Sequence, residues 1–230
     1  MPVRNIVCLF DIDGTLVSTG GAGRAAFETA LREEFGLDAL RGNVPMSGRT
    51  DRAIAGDLFR VHDIEDSPES WQQLRTGYLR RLPEALAERP GRVLPGVVAL
   101  LDELQRFAHV TLGLLTGNIA EGARVKLSHF DLFHRFRFGA FGDVQRDRDG
   151  VAREARQLVR QHVAADHPAD RIWIVGDTPL DVQCARAIGA KAVAVATGVH
   201  SVDDLAPSVP DFLVADLRDV AAIMEVWSAA

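Results

Sequence analysis

Four short polar clusters in this chain carry residue types suited to chemistry on an anion. They are Asp11-Ile12-Asp13-Gly14-Thr15-Leu16, Thr116-Gly117-Asn118, the charged stretch from Asp143 to Asp149, and Gly176-Asp177-Thr178 with Asp181 following. One such cluster alone reads as a loop, because Asp, Gly, Thr and Asn are the usual turn residues. Four of them, each following an apolar run, point to one working rim. Asp11, Asp13 and Asp177 brought together would repel and raise one another's pKa. A hard divalent cation bound through oxygen resolves that conflict, and Mg²⁺ is the usual choice beside phosphate. Asp11 closes an apolar strand and is placed to act as a nucleophile toward phosphorus. Asp13, a little further on, is free to protonate a leaving oxygen and later to deprotonate water. The Thr116 hydroxyl and the amides of Gly117 and Asn118 suit the non-bridging oxygens of a phosphate.

The elements that must position these clusters are legible as an alternation. Apolar runs over Val3–Phe10, Val110–Leu115, Arg137–Phe141, Arg171–Val175, Ala192–Ala196 and Phe212–Val214 read as strands. Between them, Gly96–Phe107, Ala120–Phe130, Val151–Val163 and Pro179–Ile188 have helical spacing. Near-continuous aliphatic strands separated by helices predict a doubly wound, Rossmann-like parallel sheet covered on both faces. Ligands bind such sheets outside the carboxyl ends of the strands, which is where the polar clusters fall.

The stretch from Val17 to Leu94 breaks the alternation. It shows no convincing strand and three helical segments, Gly23–Phe35, Asp51–Arg60 and Pro68–Glu88. Ser67-Pro68-Glu69 is a capped helix start, and Pro83 is expected to kink or divide the helix that follows. The predicted organisation is an α/β core of residues 1–16 and 95–230, with an all-helical cap inserted over residues 17–94.

Composition narrows the class. The chain has 230 residues, 47% hydrophobic and 25% charged, ordinary globular values that exclude disorder and collagen-like repeats. No apolar run approaches the roughly 18 residues of a membrane span. A net charge of −6 argues against nucleic acid or an anionic membrane as partner. Cys8 and Cys184 sit among apolar neighbours, which fits a reducing cytoplasm rather than a disulfide framework. The seven histidines show no pair at zinc-ligand spacing. Lys126 and Lys191 are the only lysines among 26 basic residues, so any step that needs an amine has two candidates.

The motifs DIDGTL at 11–16, LTGN at 115–118 and VGDTPLD at 175–181 together resemble the haloacid dehalogenase superfamily of phosphohydrolases, over nearly the whole chain. The resemblance implies a phosphorylated Asp11, an acid/base role for Asp13, and Mg²⁺ held by the Asp11 carboxylate, the Asp13 carbonyl and Asp177, with Asp181 behind them. It also implies a mobile helical cap. The departure is in the third cluster, where family members carry a lysine and this chain reads GDVQRDRDGVAREA. Arg148 is the expected substitute and Arg146 the alternative, since an arginine supplies the charge and a bidentate fork. In the cap, Arg49 of Ser47-Gly48-Arg49-Thr50-Asp51 is the candidate for reading a substrate anion, and Thr50 or Asp51 the cap of the next helix.

The function implied is hydrolysis of a small phosphorylated metabolite, of phosphoglycolate type by resemblance. Asp13 counts against dehalogenase chemistry, and the lack of lysine between Val17 and Leu94 counts against phosphonate cleavage. The runner-up is a phosphosugar mutase, whose members carry a histidine where Gly23 stands. A non-enzymatic phosphate-binding regulator is the alternative of a different kind.

Overall fold

The computed structural model describes residues 5–228. The first strand, β1, covers Ile6–Phe10 and is buried along its whole length; Val3, where the apolar run begins, and Arg4 lie outside the described residues. Strands β4 (Val110–Leu115), β5 (Phe138–Ala140), β6 (Ile172–Gly176), β7 (Lys191–Val195) and β8 (Phe212–Val214) complete a six-stranded sheet of order β5-β4-β1-β6-β7-β8. Every pair in it is parallel.

Residues of β1 alternate between two cores, as a pleated strand requires. Ile6, Cys8 and Phe10 join one cluster with α4 (Val97–Gln105), α5 (Ala120–His129) and α9 (Val220–Ser228). Val7 and Leu9 join the other, with α6 (Arg148–His162) and α7 (Pro179–Ala187). Helices on both faces make the sheet doubly wound. A single helical turn, α8 (Val202–Leu205), precedes β8. The closing helix α9 has no counterpart in the sequence reading: Val220-Ala221-Ala222-Ile223-Met224 is too continuously apolar to show a helical period. Trp227 secures it against Trp173, with ring centroids 6.0 Å apart.

The insert leaves and re-enters the core through a two-stranded antiparallel ribbon, β2 (Val17–Ser18) paired with β3 (Arg92–Val93). Strands of two residues show no alternation in sequence, so this pairing was not legible there. Above the ribbon stand α1 (Ala22–Glu34), α2 (Asp51–Val61) and α3 (Pro68–Glu88). Thr50 caps α2, accepting from the Ala53 amide, and Ser67 caps α3, accepting from the Ser70 amide. A third core of Phe27, Leu31, Ile54, Phe59, Leu74, Tyr78 and Leu82 fills the insert, and it includes Ile119, which lies outside the insert in sequence. Among the described residues no helix is long and apolar enough to cross a membrane.

Pro83 does not divide α3, one of the two outcomes expected from sequence; the helix runs through it. Leu74, Tyr78, Leu82 and Leu86 recur at four-residue spacing along its buried side, and that packing outweighs the loss of one backbone hydrogen bond. Pro83 itself is exposed, so replacing it removes no buried contact. Pro83→Ala is expected to stabilise the protein by about 1–3 kcal/mol, read as a higher midpoint in urea; a lower midpoint would show that the proline is needed where it stands.

Candidate active site

β4, β1 and β6 are neighbours, with Phe10 in register with Leu114 on one side and Val175 on the other. The residues after these strands, Thr116, Asp11 and Asp177, therefore emerge side by side at one end of the sheet. The chain turns sharply after Asp11: the Ile12 carbonyl accepts from the amides of Thr15, Leu16 and Val17. That turn brings the Thr15 hydroxyl to Asp177, to which it donates at 3.0 Å.

The third cluster supplies the cation. Asp147 caps α6 by accepting from the Gly150 amide at 2.6 Å, so the helix starts at Arg148 rather than at Val151. Arg148 occupies the first turn with its side chain only 4% exposed. Its Nη1 lies 3.4 Å from Asp11 Oδ1, and its Nη2 donates to Asp181. Arg146 stays at the surface and pairs with Asp66 at 2.7 Å. At the start of α7, Thr178 and Asp181 form a capping box behind Pro179. Asp181 Oδ2 accepts there from the Thr178 amide at 3.0 Å and the Thr178 hydroxyl at 2.7 Å.

Asp11, Asp177 and Asp181 form a buried trio whose ligand oxygens lie within 4.8 Å of one another. The Asp13 carboxylate, which the residue types alone group with Asp11 and Asp177, is not part of this trio; the resemblance implies only its carbonyl there. Asp13 Oδ2 accepts instead from Lys126 Nζ at 2.6 Å and from Asn118 Nδ2 at 2.9 Å. An ammonium close by outcompetes a cluster of like charges. Lys126 lies in the helix after the second motif, outside all four polar clusters. The missed signal is its phase: Gly122 and Lys126 are four residues apart and so share one face of α5, from which Lys126 reaches back to Asn118 just before the helix.

The electrostatics follow from burial. Asp177 is pushed up to about 8, first by burial and then by Asp181 and Asp11. Asp11 is raised to about 6 by burial, against the pull of Arg148 and the Thr116 hydroxyl. Burial pulls Lys126 and Arg148 down, but the facing carboxylates more than offset it, and both are held above their ordinary values. A buried, oxygen-only donor set starved of positive charge suits a hard divalent cation. Asp11 and Asp177 fit that role. Asp181, with both oxygens already accepting bonds, acts on the group through Arg148 and Thr178.

A cavity of about 400 Å³ opens onto this end of the sheet, lined by Asp11, Asp13, Thr116, Gly117, Asn118, Arg148 and Asp177 from the core. From the insert come Arg24, Phe27, Arg49, Asp51 and Tyr78. Asp181 does not line it. The Arg49 guanidinium is already engaged, by Asp57 at 2.7 Å and the Pro45 carbonyl at 3.0 Å. Asp51, open as a capping candidate in the sequence, does not cap its own helix: its Oδ2 accepts from the Ile119 amide at 2.8 Å, at the start of α5. Its own amide donates to the Gly117 carbonyl at 2.8 Å. Gly117 is required at this seam, since a Cβ there would stand 2.0 Å from the Arg49 carbonyl oxygen.

Known proteins are similar to this chain in sequence and in fold. A family model described as haloacid dehalogenase-like hydrolase matches residues 8–195. A probable phosphatase, IndB, of Dickeya dadantii is 28% identical over 92% of this chain and 90% of its own length. A phosphoglycolate phosphatase of Synechococcus elongatus is 30% identical over 92% of this chain and 93% of its own. Among solved structures, CbbY from Rhodobacter sphaeroides in complex with phosphate superposes with a TM-score of 0.75 at 18% identity, covering 94% of this chain and 96% of that one.

The raised carboxylates make stability depend on pH. Asp11 and Asp51 at about 6 and Asp177 at about 8 keep protons in the folded chain that the unfolded chain has already lost. Stability therefore falls as pH rises from the ordinary carboxylate range to about 6 for Asp11 and Asp51, and on to about 8 for Asp177 alone. His167, lowered by burial, contributes the opposite sign only below the ordinary imidazole range of about 6.5. The metal-free Tm is expected to drop between about pH 6.5 and pH 8.5, and saturating Mg²⁺ to raise Tm more at the upper end than at the lower. A flat Tm across that range, or an equal effect of the ion at both ends, would contradict the raised cluster.

Proposed function

The chain belongs to the haloacid dehalogenase-like hydrolase family, and from that premise we propose that it is a Mg²⁺-dependent phosphatase acting on a small phosphomonoester through an aspartyl-phosphate on Asp11. The observation that carries this reading is the buried Arg148 set between Asp11 and Asp181. It places a permanent cation where a carboxylate nucleophile and a phosphate would otherwise repel. Asp11 attacks phosphorus as the ester P–O bond breaks, and the leaving oxygen takes its proton from Asp13. Asp13 then accepts a proton from the water that releases phosphate from Asp11. Thr116, whose hydroxyl already favours ionised Asp11, and the amides of Gly117 and Asn118 stand beside the transferring group. Asp11 and Asp177, with the Asp13 carbonyl and with Asp181 behind, would hold a divalent cation, which would supply charge to offset both the carboxylates and the phosphate.

The insert, residues 17–94, serves in this reading as a cap over the core of residues 1–16 and 95–230, excluding bulk water and limiting substrate size. The contact of Asp51 with Gly117 and Ile119 supports that role. Relatives named for phosphoglycolate and a cavity of about 400 Å³ favour a short substrate of that type. Arg49 serves best as a cap-side anion contact once it exchanges Asp57 for substrate. The mutase alternative loses weight because the space beside Gly23, its expected histidine position, is filled by Lys126. The buried free cysteines fit a reducing cytoplasm.

Phosphate release from a panel of small phosphorylated metabolites, with and without Mg²⁺, tests the activity and identifies the substrate. Asp11→Asn is expected to leave less than about a thousandth of kcat with the fold intact; substantial turnover in it would remove Asp11 as nucleophile. Arg148→Ala is expected to lower kcat by roughly 10²–10³, with Arg148→Lys recovering part of the loss. Arg146→Ala, on the surface, should be close to neutral. Sensitivity at 146 with silence at 148 would reverse the assignment.

A further inference from the structure

Lys126 belongs to no motif that defines the reading above, yet it is buried at the edge of the cavity. Its Nζ donates to Asp13 Oδ2 at 2.6 Å and to Asn118 Oδ1 at 2.6 Å. Asn118 Nδ2 in turn donates to the same Asp13 oxygen at 2.9 Å and to Thr116 Oγ1 at 2.9 Å. Three consequences follow. The amide of Asn118 has only one orientation, because its oxygen must face the ammonium. Thr116 Oγ1 serves as the acceptor for Asn118, so its own hydrogen is left for Asp11 or a phosphate oxygen. Both bonds to Asp13 fall on Oδ2, so Oδ1 is the oxygen left to carry a proton.

The surroundings are built around this lysine. A Cβ at Gly23, in the first turn of α1, would stand 3.0 Å from Nζ, so the insert helix passes as close as a bare backbone allows. Tyr78 packs on the same line of α5, its ring 3.1 Å from where a Cβ of Gly122 would be. Asp13, Tyr78 and Asp51 together hold the ammonium charged against burial. No other lysine or arginine is bonded to Asp13 among the described residues.

We propose that Lys126 is a positioning residue, which locks Asp13 Oδ2 and the Asn118 amide so that Asp13 Oδ1 delivers the proton to the leaving oxygen. The inference rests on the phosphatase reading for its chemistry. As the Asp11 oxygen bonds to phosphorus and the ester bond breaks, the electron pair passes to the leaving oxygen, which takes the proton from Oδ1. A leaving group that is stable as an anion needs no such proton.

The test compares esters that differ in this need. kcat/KM reports the steps up to formation of the phosphoenzyme, so it isolates leaving-group departure. In Lys126→Met, kcat/KM for an alkyl phosphate is expected to fall by roughly 10² or more, and for p-nitrophenyl phosphate by less than about tenfold. Gly23→Ala, which crowds the ammonium without removing it, should show the same bias to a smaller extent, and it keeps the test open if the methionine variant does not fold. A crystal structure of the variant is the second readout: Asp13 is expected to leave Asn118 Nδ2, and the Asn118 amide to turn. Equal losses on the two esters overturn the inference whatever the crystal shows. Inactivity of the wild-type enzyme toward both esters overturns the phosphatase reading instead, and the crystal structure alone then decides: unmoved Asp13 and Asn118 refute the role of Lys126.

Discussion

Buried like charge is the constraint around which the molecule is arranged. Asp11, Asp177 and Asp181 share one small volume at the end of the sheet, where unpaired carboxylates are costly. The chain meets this cost with Arg148, whose guanidinium spans Asp11 and Asp181. That position dictates where α6 must begin, and Asp147 caps it there. It also explains why Asp181 sits in a capping box: the box fixes one oxygen on Thr178 and leaves the other to the guanidinium. The compensation is partial, as the raised pKa of Asp177 at about 8 shows. A site left short of positive charge is primed for a cation, and its folded state is more strained without one.

The same logic operates a few ångströms away with different groups. Asp13 is separated from the trio by being drawn to Lys126 and Asn118. The two aspartates of one motif are thereby given unlike surroundings, one buried against a guanidinium and one half-exposed beside an ammonium. Unlike surroundings are what allow a nucleophile and a proton carrier of the same residue type to do different work. Arginine and lysine are not interchangeable in these places: the fork of Arg148 reaches two carboxylates, while the ammonium of Lys126 serves as a compact point charge with several donors.

Helix α5 joins the two halves of the molecule. Its first amides are met by carboxylates from opposite sides, Asp51 of the insert on Ile119 and Asp143 of the core on Ala120. Acceptors at a helix N-terminus are favourable, so docking the insert also completes the helix. Ile119 is counted in the hydrophobic core of the insert, while Ala123 and Leu127 of the same helix belong to the core of the sheet. Lys126 rides on this helix, so the geometry around Asp13 and the seating of the insert are coupled through one rigid element.

Much of this was legible in the residues alone. Alternating aliphatic runs and helical periods determined the parallel sheet, because a strand covered on both faces must be apolar throughout. The polar clusters at the strand ends determined where the chemistry lies, because the ends of parallel strands meet at one edge. What only the tertiary structure decided were contacts between residues distant in sequence. That Arg148 faces inward and Arg146 outward depends on the capped start of α6, three residues ahead of the start that the helical spacing predicts. That Lys126 reaches Asp13 depends on how α5 packs against the sheet, and on a helix of the insert bare enough at Gly23 to let it through. Local pattern sets which elements form; the partner of each buried charge is set by which elements are brought together, and a charge must find its partner in three dimensions.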